Sequence, residues 1–365
     1  MADKFFDYLV ASLKTVFMPL VYFYCAVSAN VFLNVSVENA SGLERLADLL
    51  LSPVHYALAG KQAEEKPDGR WQFTQRYRYD DAFWVKTAAS YIALPPSLLL
   101  GSAVKGLSLL DERARLRYRS IVAARDSKAV RPNLEMYRQM GLEIGQIAEP
   151  LIPLGFQRRP GDEHVLEGDK EALRDVAQAL NEAGIVWWAD CGTCLGAYRY
   201  GGVIPWDGDI DIAVLLPDFE NVWHALNRLD PDKYVVQDWS TRDHPGTFLK
   251  LYIRKTRTMI DIYHFAIHPE TRDLRYILSF ESNMFVPAWW KQRERRFTIP
   301  VSFDTMFPLR TATLDGVDIF VPNNTKEYLE RCYGENLGPV KIYDPATKSY
   351  ERDLSHPYWT GAYIH

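Results

Sequence analysis

Asp209 and Asp211 stand one residue apart in the run Trp206-Asp207-Gly208-Asp209-Ile210-Asp211-Ile212. The two-residue period of a strand sets both carboxylates on one face and Ile210 and Ile212 on the other. Adjacent carboxylates repel, and a strand that buries its opposite face has no structural use for such a pair. A hard divalent cation removes the repulsion, and Mg2+ is typically held by one or two carboxylates together with substrate phosphates. A third acid, Asp261, lies midway along Thr258-Met259-Ile260-Asp261-Ile262-Tyr263-His264-Phe265. Burial there is expensive unless the acid is paired or bound to metal. The plainer readings are a solvated strand end for the Asp-x-Asp and an edge acid facing water for Asp261.

Gly192-Thr193, just upstream, opens a helical pattern. Such a turn offers free N–H groups and the positive end of a helix dipole, which suits a phosphate. Asp190, closing the preceding strand, can orient the turn through its backbone. Cys191 and Cys194 have the spacing of half a zinc site or a redox pair. No second such pair follows, and they read as small buried thiols. His264 reads as a satisfied strand histidine rather than a catalyst.

The elements that must position these groups follow from periodicity. Residues 185–189 form a short apolar strand, followed by about six to eight helical residues after the Gly-Thr turn. Gly201-Gly202 turns the chain and Pro205 stiffens the approach to the Asp-x-Asp strand. Residues 247–254 and 259–265 read as a strand pair closed by Arg254-Lys255-Thr256-Arg257. Leu173, Val176 and Leu180 give residues 170–183 an amphipathic helix that Gly184 ends. A further helix is expected near 218–229 and a strand at 234–236. The fold class is therefore α+β, a mixed sheet with flanking helices.

Over residues 190–212 the sequence follows D-x-G-T-x-L-G-A-x-R-x-G-G-x-I-P-W-D-x-D-I-D-I almost unbroken. This pattern resembles the LicD family, which includes fukutin-related proteins, within the nucleotidyltransferase (polymerase-beta-like) superfamily. Phe307-Pro308-Leu309, Leu314-Asp315-Gly316-Val317, Val321-Pro322, Tyr328-Leu329 and Tyr333-Gly334 extend the likeness to roughly residues 165–340. Gly208 departs from it where the family commonly has a third consecutive Asp, and Cys191 and Cys194 replace commoner Ser and Leu types. The resemblance implies transfer of a phosphate-linked group, phosphocholine- or polyol-phosphate-like, from a CDP-activated donor to a glycan or glycolipid acceptor. Asp209, Asp211 and Asp261 would then hold Mg2+ or Mn2+, with Asp261 completing the metal site or taking the acceptor's proton. Gly192 and Thr193 would bind phosphate. Arg199, with Lys250 second, would neutralise the departing nucleotide, and Asp207 would support the metal site or cap a turn. Two other readings keep the same residues: a nucleotidyltransferase that makes an activated nucleotide or modifies a protein, and an inactive membrane-associated scaffold.

With 365 residues, 47% apolar and 24% charged, the chain has room for two domains. A net charge of −5 gives no nucleic-acid footprint. Four cysteines make no disulfide framework at this length. The division expected is a helical, membrane-associated region over 1–130 and a catalytic domain over 131–365. Residues 15–37 carry no charge and are long enough to span a bilayer, although Pro19 and four polar residues weaken the span. A signal peptide and an interfacial helix are the other readings of that run. A second uncharged run, 87–104, is interrupted by Pro95-Pro96 and suits a kinked or surface-lying segment. The localisation implied is a membrane, the bacterial cytoplasmic membrane or that of the Golgi or ER. Residues 61–81 read as loop, 111–131 as a basic helix or a solvated face, 134–154 as helix, and 343–365 as an irregular wrap. Residues 289–296 (WWKQRERR) are basic and aromatic, fit to meet an anionic donor or to lie at the surface.

Overall fold

The structure is a computed structural model. It describes residues 41–59, 61–65, 71–75, 83–119 except 117, 134–278 except 241–243 and 245, and 288–359. The run at 15–37 lies outside the described residues. Two compact units emerge, one over the described part of 41–119, the other over 134–239, 246–278 and 289–359; Ser240, His244 and Ala288 join the first.

The first unit holds α1 (Gly42–Ala59), a two-stranded antiparallel pair of β1 (Lys61–Glu65) and β2 (Trp71–Gln75), and α2 (Phe83–Ser108). Two expectations are corrected here. Part of the polar stretch taken as loop pairs as β1–β2, held by a backbone ladder that needs no apolar alternation. Pro95 and Pro96 do not interrupt α2. Both prolines are exposed, and the residues that follow pack α2 along α1: Ser97 Oγ donates to Leu50 O, and Gly101 leaves room for Leu51. Tertiary packing, rather than local propensity, carries such a helix. No helix among the described residues is long and apolar enough to cross a membrane.

The second unit begins with α3 (Leu134–Gln139), far shorter than the helix expected over 134–154. Gly141 and Gly145 take positive φ of 86° and 88° directly after it, which ends the helix. Next come α4 (Glu167–Glu182), β3 (Trp187–Ala189), α5 (Cys191–Tyr200), β4 (Ile210–Leu215), α6 (Phe219–Leu226) and β5 (Tyr234–Asp238). They lead to β6 (Phe248–Ile253), β7 (Met259–His268) and β8 (Asp273–Tyr276). The chain continues through α7 (Ala288–Glu294), β9 (Val301–Ser302), α8 (Phe303–Met306), β10 (Arg310–Leu314), β11 (Val317–Val321) and α9 (Thr325–Tyr333). A hairpin of β12 (Lys341–Asp344) and β13 (Ser349–Arg352) corrects the irregular wrap expected there.

The mixed sheet runs β3-β4-β7-β6-β5, with β8 and β9 added beside β7. Only β4 and β7 are parallel, and they are the strands that bear the acids. Ile210, Ile212, Ile260 and Ile262 are fully buried on the face opposite those acids. Helix α4 packs on β4 and β7, with Leu173, Val176 and Leu180 in the same core. Each such side chain contributes about 1.5–3 kcal/mol by leaving water. That packing fixes the rotation of β4 and β7, and so turns Asp209, Asp211 and Asp261 to the other side.

Candidate active site

Strand register brings the acids together. In the parallel β4–β7 ladder Asp211 lies opposite Asp261, and in the antiparallel β6–β7 ladder Lys250 lies opposite Asp261. Asp211, Asp261 and Lys250 thus stand abreast on three neighbouring strands, with Asp209 just ahead of β4. Asp209, Asp211 and Asp261 each offer a carboxylate oxygen within 4.8 Å of the others. Asp211 and Asp261 are buried, while Asp209 lies at the open rim.

Electrostatics matches the geometry. Burial, and then the charges of Asp209 and Asp261, push the Asp211 carboxyl well above its ordinary range. Desolvation and the Asp261 charge raise Asp209, with Lys250 pulling the other way. Asp207 is pushed up to about 6 by burial and by Asp209. Three carboxylates held this closely, with Lys250 as their nearest cation, are a donor set for a hard divalent cation.

The Gly-Thr turn is tied to this cluster from the other side. Asp190 caps α5, accepting from Cys191 N at 2.7 Å, and also accepts from Tyr328 Oη at 2.5 Å. The Thr193 hydroxyl accepts from Asp211 N at 2.8 Å, which locks the helix start to the acid-bearing strand. Cys191 sits at φ 46°, a left-handed conformation that a non-glycine residue adopts at a cost. Gly192 has no room for a side chain: a Cβ there would run into the Asp207 carboxylate. Cys191 and Cys194 are free thiols, and burial drives both well above the usual thiol range.

Two candidate residues have tasks that spacing alone does not reveal. Lys250 Nζ bridges both oxygens of Asp261, at 2.8 and 2.9 Å, beneath the rings of Trp239 and Phe248. Arg199 is a correction. Its buried guanidinium donates to Leu337 O and Gly338 O, both at 2.6 Å, and so holds the segment after α9 rather than reaching the acids. The helical turn between Cys191 and Arg199 carries its side chain to another side of α5. Tyr263, two residues beyond Asp261 on the same face, reaches Asp261 Oδ2 at 3.4 Å, and the strand period alone gives that placement. Tyr328 was legible only as part of a Tyr-Leu pair, with nothing to show its bond to Asp190. His264 faces the other side of β7, fully buried against Phe219, its pKa lowered to about 3 by burial. The polar groups that meet its ring are the backbones of Thr247 and Ile262, and it takes no part in the acid cluster.

Residues 184–324 match the family model described as "LicD/FKTN/FKRP, nucleotidyltransferase domain". The chain carries a LicD/FKTN/FKRP domain. All three acids, the Gly-Thr turn and Lys250 lie inside the matched stretch. Among curated proteins, the LicD/FKTN/FKRP domain region is similar to ribitol-5-phosphate transferase FKTN of Mus musculus, 39% identical over 176 residues. That alignment covers 48% of this chain and 34% of the relative. Ribitol 5-phosphate transferase FKRP of Homo sapiens is 25% identical over 208 residues, covering 56% of this chain and 38% of the relative. An uncharacterized protein of Rickettsia prowazekii is 23% identical over 175 residues, 48% of this chain and 57% of its own length. The chain thus spans from about a third to just over half of the length of these relatives.

Proposed function

We propose that the chain is a metal-dependent phosphotransferase of LicD type. It would move a phosphate-linked group from a CDP-activated donor to a glycan or glycolipid hydroxyl. The observation that carries this reading is the meeting of Asp209, Asp211 and Asp261 within 4.8 Å across two parallel strands. The relatives named as ribitol-5-phosphate transferases favour a polyol phosphate as the transferred group.

The residues present fit Mg2+ or Mn2+, which Asp209, Asp211 and Asp261 would hold. When bound, such a cation neutralises phosphate oxygens and makes phosphorus more open to in-line attack. In the transfer the acceptor oxygen bonds to phosphorus while the bond to the nucleotide's phosphate oxygen breaks. The acceptor's proton would pass to a base within hydrogen-bond reach, a role proposed for Asp261 once an oxygen is released from Lys250. Lys250 anchors Asp261 and offers positive charge to the nucleotide as it leaves. The helix start at Gly192 and Thr193 directs its N–H groups and dipole toward the same side. Association with a membrane is part of the reading, supported by the exposed apolar residues Ile92, Leu99 and Leu100 of α2.

Asp209→Asn should abolish transfer while leaving the folded state intact. Product analysis with CDP-linked and nucleoside triphosphate donors separates transfer to a glycan from nucleotidyl transfer. An Asp209→Asn protein of undiminished activity would end the assignment, and a wild-type chain that binds no Mn2+ would favour the inactive scaffold.

A further inference from the structure

A cleft of about 890 Å³ lies between α7 with the turn after it, α9, and residues 334–336 and 356–358. Its volume is within the range of small-molecule sites. Two guanidinium groups line it with no ion pair among the described residues. Arg296 stacks over the rings of Phe297 (4.7 Å) and Tyr333 (5.1 Å), and its Nε is buried without a hydrogen-bond partner. Arg331 donates through Nη1 to the carbonyls of Phe297 and Ile299, which hold it in place, and its Nε is likewise buried and unpartnered. Glu330, on the same wall, pairs with Lys326 at 3.5 Å rather than with either arginine. Arg331 feels the buried Asp190 carboxylate, but neither guanidinium has a carboxylate at ion-pair distance, and two half-buried guanidinium groups in one cleft favour an anion. Planar forks of this kind match phosphate oxygens.

The cleft is joined to the acidic trio by a short chain of contacts. Arg331 lies over the Tyr328 ring at 4.7 Å, and Tyr328 Oη donates to Asp190 Oδ1 at 2.5 Å. Asp190 caps the helix whose Thr193 hydroxyl holds Asp211 N.

The geometry points to a phosphate subsite in this cleft, in which Arg296 and Arg331 neutralise a phosphate group of a substrate other than the one at the acids. The assignment rests on the transferase reading for its biological role, but not for the binding itself. A phosphate there belongs either to the nucleotide side of the donor or to a phosphorylated acceptor.

The test titrates the full chain with inorganic phosphate, a chelator being present so that no cation bridges phosphate to the trio, and follows binding by phosphorus NMR. Saturable binding is expected. Arg296→Gln should weaken it about tenfold or more, the loss of one charge-assisted pair. Arg296→Lys, which keeps the charge, should recover part of the affinity, and Asp209→Asn should leave it unchanged. The Arg296 side chain stacks on Phe297 and Tyr333 but makes no hydrogen bond, so its replacement should lower the melting temperature only slightly; if the loss is larger, Arg296→Lys still separates charge from fold. Displacement by cytidine monophosphate assigns the subsite to the donor. Displacement by a sugar phosphate but not by the nucleotide assigns it to the acceptor. No saturable binding, or equal binding by Arg296→Gln, overturns the proposal. Loss of binding in Asp209→Asn alone also overturns it, since the anion would then sit at the acids. A trio that binds no Mn2+ would defeat the transferase reading and leave phosphate binding in chelator untouched.

Discussion

Asp211 is held in a position that its own chemistry resists. It is buried, faces Asp209 and Asp261, and has its carboxyl pushed well above the ordinary value of 3.8. The folded protein therefore keeps protons on the pair Asp209 and Asp211 at pH values where the unfolded chain has lost them. Wherever the native state binds more protons, stability falls as pH rises. The pair's contribution to stability should thus decline as pH climbs from about 4 through the raised folded values. A divalent cation displaces those protons, so its binding should tighten with rising pH. Thermal melts in chelator and in Mn2+ should diverge as pH increases, with the cation-bound protein the more stable. Asp211→Asn should flatten the pH dependence in chelator, raise the melting temperature there, and remove the Mn2+ shift. Melts that respond to Mn2+ equally in both proteins would place the cation elsewhere. At this scale the sequence was informative where alternation decides direction: Asp209, Asp211, Asp261 and Tyr263 share a face because the strand period is two. It was silent on Arg199, because a helical side chain's direction depends on which neighbours receive it, here two carbonyls 138 and 139 residues away. Lys250 was legible as a cation near the site. Its bond to Asp261 required the β6–β7 register.

The strands and helices around the acids were legible from their apolar period, as was the turn that closes β6 and β7, but what holds the turns in place was not. The Gly201-Gly202 turn shows why. It is fixed by Asp315, which sits at φ 51° in the turn between β10 and β11, more than a hundred residues later. Asp315 accepts from Val203 N at 3.0 Å and from Arg158 Nη1 at 3.2 Å, and Lys170 Nζ lies 3.5 Å from it. Gly202 has no space for a Cβ beside that carboxylate and guanidinium. An ion cluster of this kind leaves no periodic trace, so Leu-Asp-Gly-Val could be matched to a family pattern without its role being visible. Lys170 is only 1% exposed, which makes the cluster expensive to break. Asp315→Asn leaves Arg158 and Lys170 short of their counter-charge and should cost about 3–5 kcal/mol of stability. Denaturant unfolding measures this directly. A loss below about 1 kcal/mol would mean that water reaches the cluster and that the turn before β4 is held by something else.

At the scale of the whole molecule, composition indicated room for two domains, and packing within each unit supplies what composition leaves open. The β1–β2 pair escaped because β1 is almost wholly polar, although Trp71 and Phe73 alternate with Gln72 and Thr74 in β2, and α2 because helix packing outweighs two prolines. What α2 presents to solvent bears on where the protein works. Ile92 is 81% exposed and Leu99 73%, seven residues apart and so close to one face of a helix. Arg113, Arg115 and Arg119 follow, all exposed. Apolar side chains followed by exposed arginines are the composition of a segment that lies on an anionic bilayer surface, buried only to the headgroup boundary. The full chain should therefore float with vesicles containing anionic lipid, more weakly at high salt as the arginine contribution is screened. Replacing Ile92 and Leu99 together by Glu should remove most of the floating fraction, while the Mn2+ response of the second unit stays unchanged. Equal flotation by the double variant would move the membrane contact away from this face of α2. No flotation of the wild-type chain would remove membrane association from the proposed reading.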